Sequence, residues 1–374
     1  MKIGITCYPT YGGSGIVATE LGKELAARGH EIHFISYAPP LRLDQSDPDI
    51  HFHEVEVTTY PLFDHPPYTL ALATKMAEVA EQESLDLLHC HYAIPHSVSA
   101  YLAKSMLHPR KLPVVTTLHG TDITLVGADR SYLPITRFSI EKSDGVTAVS
   151  QYLQEATYRT FGVRKQIEVI HNFVNCDIFK PSNRSDLRAR FAPDGQKILI
   201  HLSNFRPVKR PVDVVDVFAM VQSKLPAVLL MVGDGPERSN AEWRARDHGI
   251  EKSVHFLGKR SDIEDLMSSA DLLLLPSENE SFGLAALEAM ACEVPVVVSN
   301  VGGLPEVITD GVEGYLVEPR NVRGMADRAI EILADPALRS EMGKRARKSA
   351  RERFCASRII PIYESYYRKI LASS

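Results

Sequence analysis

Short apolar, β-branched runs alternate with stretches of helical period along the chain, and part-way through the series starts again. Such alternation is the mark of βαβ units, which build a parallel sheet covered by helices on both faces. In the first half, residues 2–8, 31–36, 85–89, 114–118 and 145–149 read as strands, with helices over 17–28 and 71–82. In the second half the strands are 197–202, 228–232, 254–257, 272–275 and 295–299, and from 337 onward the chain reads as helices only. Between the series, 172–194 has little periodicity and carries Pro181, Ser182, Asn183 and Pro193, so the domain junction belongs there. With 374 residues, two cores are the expected arrangement. The predicted fold is α/β: two Rossmann-like doubly wound domains, 1–172 and 173–355, facing across a cleft that holds ligand at the carboxyl ends of the strands.

Composition removes several classes of function. A net charge of −5 disfavours a general nucleic-acid or membrane-surface binder. Cys7, Cys90, Cys176, Cys292 and Cys355 lie far apart with no CxxC pair, which gives neither a zinc knuckle nor a disulfide framework and points to a reducing, cytoplasmic setting. The opening MKIGITCY runs into a Gly-rich turn with no signal-like apolar segment, and no apolar run approaches the roughly 20 residues of a membrane span.

Four segments carry side chains suited to chemistry. The first strand leads into Tyr8-Pro-Thr-Tyr-Gly-Gly-Ser-Gly15 at a helix start, where free N–H groups attract an anion; a plain connector would look the same. Ser203-Asn-Phe-Arg-Pro-Val-Lys-Arg210 follows a strand and offers Arg206, Lys209 and Arg210 to a diphosphate. His119-Gly-Thr-Asp122 follows the strand 114–118 and aims His119 at a sugar hydroxyl. The strongest is Pro276-Ser-Glu-Asn-Glu-Ser-Phe-Gly-Leu-Ala-Ala-Leu-Glu288. A helix is expected from about 281, so that the N–H groups of Ser281, Phe282, Gly283 and Leu284 meet phosphate and sugar oxygens. Glu288 then lies two turns in, roughly 9 Å further along. That spacing suits one carboxylate on a sugar and one on a ribose; Leu287, Ala289 and Met290 beside Glu288 argue against a mere surface residue. His89-Cys-His-Tyr-Ala-Ile-Pro-His96 invites a metal reading. It is set aside because His89 and His91 are expected on opposite faces of their strand, with no acidic residue close by in sequence.

Together, Gly12–Gly15, His119-Gly-Thr-Asp, Arg206 with Lys209, Val232-Gly-Asp-Gly-Pro236, and Glu280 with Glu288 resemble the retaining GT-B glycosyltransferases of family 4, over essentially the whole chain. Within that family, Cys7–Gly15 and His89–His96 look like members that glycosylate L-malate on the way to bacillithiol. The resemblance implies UDP-N-acetylglucosamine as donor, L-malate as acceptor, and no metal or cofactor. It puts His119, Arg206, Lys209 and Glu280 in catalysis. The donor would meet Gly15, Asn204, Phe256, Gly258, Ser281, Phe282, Gly283, Leu284 and Glu288, and the acceptor Gly13, Ser14, Tyr92, Thr117 and Arg206. It also implies that a final helix, about 356–374, completes the first domain. Relatives often carry Gly after the Ala291-Cys292 pair where this chain has Glu293, so a local turn difference is expected there. Exposed apolar positions in the helical tail make a homodimer an open expectation. Two rivals keep the architecture: a family 4 transferase with a lipid or saccharide acceptor, and a UDP-N-acetylglucosamine epimerase. A non-catalytic sensor is a third. Asp47, Asp49, Glu54 and Glu56 in the stretch 45–60 disfavour anionic lipid.

Overall fold

A computed structural model describes residues 1–10, 12–43, 46–57 and 65–373; of the segments singled out above, Tyr11 and parts of the acidic stretch 45–60 lie outside these. The chain divides into two compact units, Met1–Asn172 with Ile359–Ser374, and Phe173–Arg358.

Unit 1 is built on seven strands, β1 (Lys2–Thr6), β2 (Glu31–Ser36), β3 (Ile50–Glu54), β4 (Leu87–His91), β5 (Val114–Leu118), β6 (Gly145–Ala148) and β7 (Ile167–Val169). They pair in parallel in the order β3-β2-β1-β4-β5-β6-β7. Unit 2 has β8 (Lys197–Leu202), β9 (Ala227–Val232), β10 (Val254–Gly258), β11 (Leu272–Leu275), β12 (Val296–Ser299) and β13 (Gly314–Val317), again parallel, in the order β10-β9-β8-β11-β12-β13. Counted from its own first strand, unit 2 has the doubly wound order 3-2-1-4-5-6, and unit 1 has it with one strand added. In such sheets the crossovers change direction beside the first strand, between β1 and β4 and between β8 and β11. Their carboxyl ends open a crevice there.

The central strands are apolar on both faces because helices cover both. β11 is Leu-Leu-Leu-Leu and β9 is wholly buried. Leu199, Phe218, Leu229, Leu274 and Val297 form the middle of the unit 2 core, and Ile35, Leu72, Met76 and Val114 contribute to that of unit 1. Three of the four edge strands, β3, β7 and β13, are absent from the expected set, whereas the fourth, β10, is in it: at an edge one side carries no neighbour, and Ile50-His-Phe-His-Glu54 alternates polar with apolar. β4 starts and ends two residues later than expected, since His89 and His91, polar by type, are fully buried strand residues. The first helix starts at Gly13, ahead of the expected 17, and β1 ends at Thr6.

The last helix, Ala356–Ser373, lies against unit 1 from Ile359 onward. Tyr367 Oη sits 2.8 Å from His89 Nδ1, Tyr366 donates to the Val146 carbonyl at 3.2 Å, and Glu364 meets His30 at 2.8 Å. Glu293 occupies the left-handed region at φ 60°. A glycine takes that conformation freely, whereas an L side chain strains it by about 1–2 kcal/mol.

Candidate active site

In unit 2 the loops leaving β8 and β11 meet at the switch point. Lys209, at the end of the short turn Pro207–Lys209, puts its Nζ 2.5 Å from Glu280 Oε1, and Ser277 Oγ donates to the same oxygen at 3.0 Å. A backbone bond from Glu278 N to the Val208 carbonyl, 2.8 Å, fastens the two loops together. Both partners of the ion pair are only partly exposed, with side-chain exposures of 21% and 12%, so water screens them weakly. Two expected ligand groups are thus a single element: one ammonium beside one carboxylate, able to offer charge to a diphosphate and an acceptor oxygen to sugar hydroxyls.

The glycines after β12 hold Glu280 in position. Gly303 N donates to the Glu280 carbonyl at 2.9 Å. A Cβ on Gly302, at φ 59°, would run into that same carbonyl, and one on Gly303 into the carbonyl of Ser281. Gly302-Gly303, in the turn that follows β12, was the available signal for this clamp. Beneath the β8 loop, buried His201 joins Leu274 O at 2.9 Å to Ser203 Oγ at 2.8 Å, and burial pushes its pKa down to about 4. It packs as a neutral strut under the loop that carries Lys209.

Several expected positions change. The helix that follows Glu280 runs Leu284–Ala291 with Gly283 as its cap at φ 99°. Of the four amides expected at its start, only Leu284 is helical; Ser281, Phe282 and Gly283 form the approach. Glu288 is therefore one turn in, about 6 Å of rise from Leu284, and it is buried. Arg210, at φ 50°, is committed to structural pairs: it chelates Asp213 at 2.6 and 2.9 Å and meets Glu278 at 2.6 Å. Arg206 is exposed and makes no ion pair among the described residues. Asn204 keeps its Oδ1 buried without a hydrogen-bond partner, an acceptor that a ligand donor could satisfy. At the carboxyl end of β10, Phe256 lies under the Arg238 guanidinium, and the Gly258 carbonyl accepts from Gly233 N at 2.8 Å.

In unit 1 the same switch-point logic brings the Gly-rich turn to Tyr92. Gly12 caps the helix Gly13–Ala26; Gly13 is exposed, and a Cβ on Gly15 would press on the Tyr8 carbonyl. Ser14 Oγ donates to Tyr92 Oη at 2.8 Å. Tyr92 follows β4 at φ 99°, a conformation that a bulky side chain adopts only under local compulsion. Its ring lies 5.4 Å from that of His119, whose Nε2 is 2.8 Å from His91 Nδ1. Burial, with His96 adding to it, holds His119 down to about 3, so it stands as a neutral imidazole. Thr117 is fully buried, its Oγ1 2.7 Å from both His89 Nε2 and Thr147 Oγ1. The expectation that His89 and His91 point to opposite faces is also corrected. Strand side chains alternate, so i and i+2 share a face, and the two rings lie 4.4 Å apart.

Models of two glycosyltransferase families match the chain: Glycosyltransferase Family 4 over residues 11–178 and Glycosyl transferases group 1 over 183–349. The N-acetyl-α-D-glucosaminyl L-malate synthase of Bacillus anthracis is 50% identical over 99% of this chain and 97% of its own. The chain belongs to glycosyltransferase family 4. A D-inositol 3-phosphate glycosyltransferase of Mycolicibacterium smegmatis is 31% identical over 68% of this chain and 61% of its own. Among solved structures, Anabaena HepE in complex with UDP and glucose superposes at TM-score 0.84 with 24% identity, covering 98% of this chain and 99% of that one. Sucrose-phosphate synthase of Thermosynechococcus elongatus does so at 0.80 with 25% identity, covering both chains fully. The two parallel-sheet units are those of the GT-B fold, and no helix among the described residues is long and apolar enough to cross a membrane.

One group in this family 4 glycosyltransferase went unassigned by motif reading. Asp122 is buried, and its carboxylate accepts from Ala93 N at 3.0 Å, Gly120 N at 2.9 Å and His119 N at 3.2 Å. It pins the loop after β4 to the loop after β5 and so sets the position of His119 relative to Tyr92. Burial raises its pKa to about 6, partly offset by those three amides. Asp122→Ala strands three donors in the interior and is expected to lower stability by about 2–4 kcal/mol. The midpoint of urea unfolding reads this directly, and a midpoint equal to the parent's would show that Asp122 holds nothing together.

Proposed function

We propose that this glycosyltransferase moves N-acetylglucosamine from UDP-N-acetylglucosamine to the hydroxyl of L-malate with retention of the α configuration, the first step of bacillithiol synthesis. The observation that carries the reading is the Lys209–Glu280 pair at the unit 2 switch point, in a chain half identical to a protein named as that synthase. Lys209 and the exposed Arg206 neutralise the charge that gathers on the β-phosphate as its bond to the anomeric carbon breaks. Glu280 accepts from sugar hydroxyls, Glu288 serves the ribose, and Ser281, Phe282, Gly283 and Leu284 supply backbone amides toward the phosphates. Asn204 Oδ1 takes a donor from the donor substrate, and the backbone at Phe256 and Gly258 meets the base.

Malate, a small dianion, is read by the helix start at Gly13–Gly15, by Ser14 and Tyr92, and by Arg206. Its hydroxyl oxygen bonds to the anomeric carbon on the face that UDP leaves. The departing phosphate oxygen takes the hydroxyl proton, so the products are GlcNAc-α-malate and UDP, with no carboxylate nucleophile, metal or cofactor required. His119, neutral, hydrogen-bonds the sugar. All five cysteines are free thiols, which suits work in a reducing cytoplasm.

The test is UDP release by purified protein given UDP-N-acetylglucosamine with and without L-malate. Release that depends on malate is expected. Turnover of the sugar nucleotide indifferent to malate points to the epimerase. Release that requires a lipid or saccharide in place of malate points to the other acceptor class.

A further inference from the structure

On one face of the unit 1 sheet, away from the loops that follow β4 and β5, imidazoles gather where no role in sugar transfer reaches them. His33 on β2 pairs in register with His51 on β3, and His53 follows two residues later on the same face. The His33 ring stacks on that of His53, with centroids 5.3 Å apart, and lies tilted against that of His51 at 4.8 Å. Its Nδ1 lies 3.0 Å from His53 Nε2, and a carboxylate oxygen of Glu83, the residue that ends the helix Tyr68–Gln82, lies within 4.8 Å of the two nitrogens. On the other side of the ring, His33 Nε2 is 3.2 Å from Glu31 Oε1, and Glu31 is itself held by Lys2 at 3.0 Å.

We propose that His33 Nδ1, His53 Nε2 and Glu83 form a binding site for a divalent transition ion of the zinc type, oriented by Glu31 from behind. Metal–ligand bonds of 2.0–2.1 Å in tetrahedral array put donors about 3.4 Å apart. The two nitrogens are already near that spacing, and the Glu83 side chain closes the remainder by rotation. A ligating histidine characteristically donates its other ring N–H to a carboxylate, which fixes the tautomer; Glu31 is so placed for His33. The mirror set on the far nitrogen, Glu31 with His33 Nε2 and His51, is the weaker one, because the Lys2 ammonium already occupies that carboxylate. A bound ion would tie edge strand β3 to β2 and to the end of the helix Tyr68–Gln82.

The untagged full-length chain, stripped with chelator and dialysed, is titrated with cobalt(II) alone and then with zinc(II) alone. One cobalt per chain is expected, with the visible absorption of a four- or five-coordinate ion, displaced by zinc, and zinc is expected to raise the melting temperature. Glu83→Gln and His53→Ala, both checked for folding by circular dichroism, should each weaken zinc binding at least tenfold. Glu31→Gln, acting through His33, should weaken it about 10–100-fold, and His51→Ala should leave it unchanged. Two results overturn the proposal: no saturable 1:1 binding of either ion, or binding that survives Glu83→Gln and His53→Ala in folded protein while His51→Ala removes it.

Discussion

Lys209→Ala lowers turnover of the sugar nucleotide at least tenfold and leaves the fold intact. The ammonium is 2.5 Å from Glu280 in a partly screened site, so its loss has two consequences of the same sign. The charge-assisted contact proposed to the departing diphosphate disappears, worth about 1.5–3 kcal/mol, or roughly 10–150-fold in rate. Glu280 is also left as an uncompensated carboxylate in the place where a second anion must arrive. Lys209→Met keeps the aliphatic stem without the charge and is expected to match the alanine variant, since packing is not what is lost. Arg210→Ala provides the contrast: its guanidinium is held by Asp213 and Glu278, so its removal lowers stability while affecting turnover less than Lys209→Ala. Steady-state kinetics of UDP release on variants of equal circular dichroism decide the matter. Near-normal kcat/KM for Lys209→Ala would remove the diphosphate role from this residue.

Acid unfolds unit 1 well above the pH at which its carboxylates are neutralised. His89 and His119 are held down to about 3, His96 to about 4, and His91 well below its ordinary value, in each case chiefly by burial. In the unfolded chain these groups titrate near 6.5. Above that pH neither state binds the protons, and the stability is fully present. As pH falls below about 6.5 the unfolded chain takes up protons that the folded one refuses, so stability is lost at about 1.4 kcal/mol per pH unit for each histidine. Four such groups remove roughly 5 kcal/mol over one unit, comparable with the whole margin of a small domain. Asp122 runs the other way: with its folded pKa raised to about 6, it destabilises unit 1 above that pH and regains part of the loss as it protonates below, offsetting about one histidine. The melting temperature should therefore be level above pH 7 and fall steeply between pH 6.5 and 5. Hydrogen exchange should localise the opening to the peptides around β4 and β5. A melting temperature that stays flat from pH 7 to pH 5 would contradict the neutral-histidine interior.

What could be read in advance, and what could not, divides along physical lines. β5, β8 and β11 match their expected residues because they are short, apolar and flanked by turn residues, and buried parallel strands advertise themselves in that way. Glu280 and Lys209 were legible as separate candidates from their place after β11 and β8. Their union was not, because it depends on which strands are neighbours, and β11 starts at Leu272, 70 positions after β8 ends at Leu202, while adjacent to it in the sheet. Thr117 entered through the family resemblance alone, and no sequence pattern showed that its hydroxyl is held between His89 and Thr147. The helix after Glu280 started late because Gly283, which any helix-start pattern accepts as an interior residue, adopts a left-handed cap. Asp122 is a buried charge satisfied by main-chain amides, and no periodicity reports such a residue. Edge strand β3 hid behind its histidines, and those histidines are what make it interesting.

The return of the last helix to unit 1 has a consequence for how the protein is made. Tyr363 and Tyr367 are fully buried, and Tyr367 closes over His89, a residue synthesised 278 positions earlier. The helix Ala356–Ser373 is translated only after unit 2. At 5–20 residues per second the whole of unit 2 must be translated first, a delay of about 10–40 s. During that interval unit 2 can complete its own core, whereas unit 1 waits with the site of its final helix uncovered. Of the two units, the one translated earlier is thus the later to be finished, and any ribosome that stops short of Ile359 releases a chain whose unit 1 lacks its closing helix.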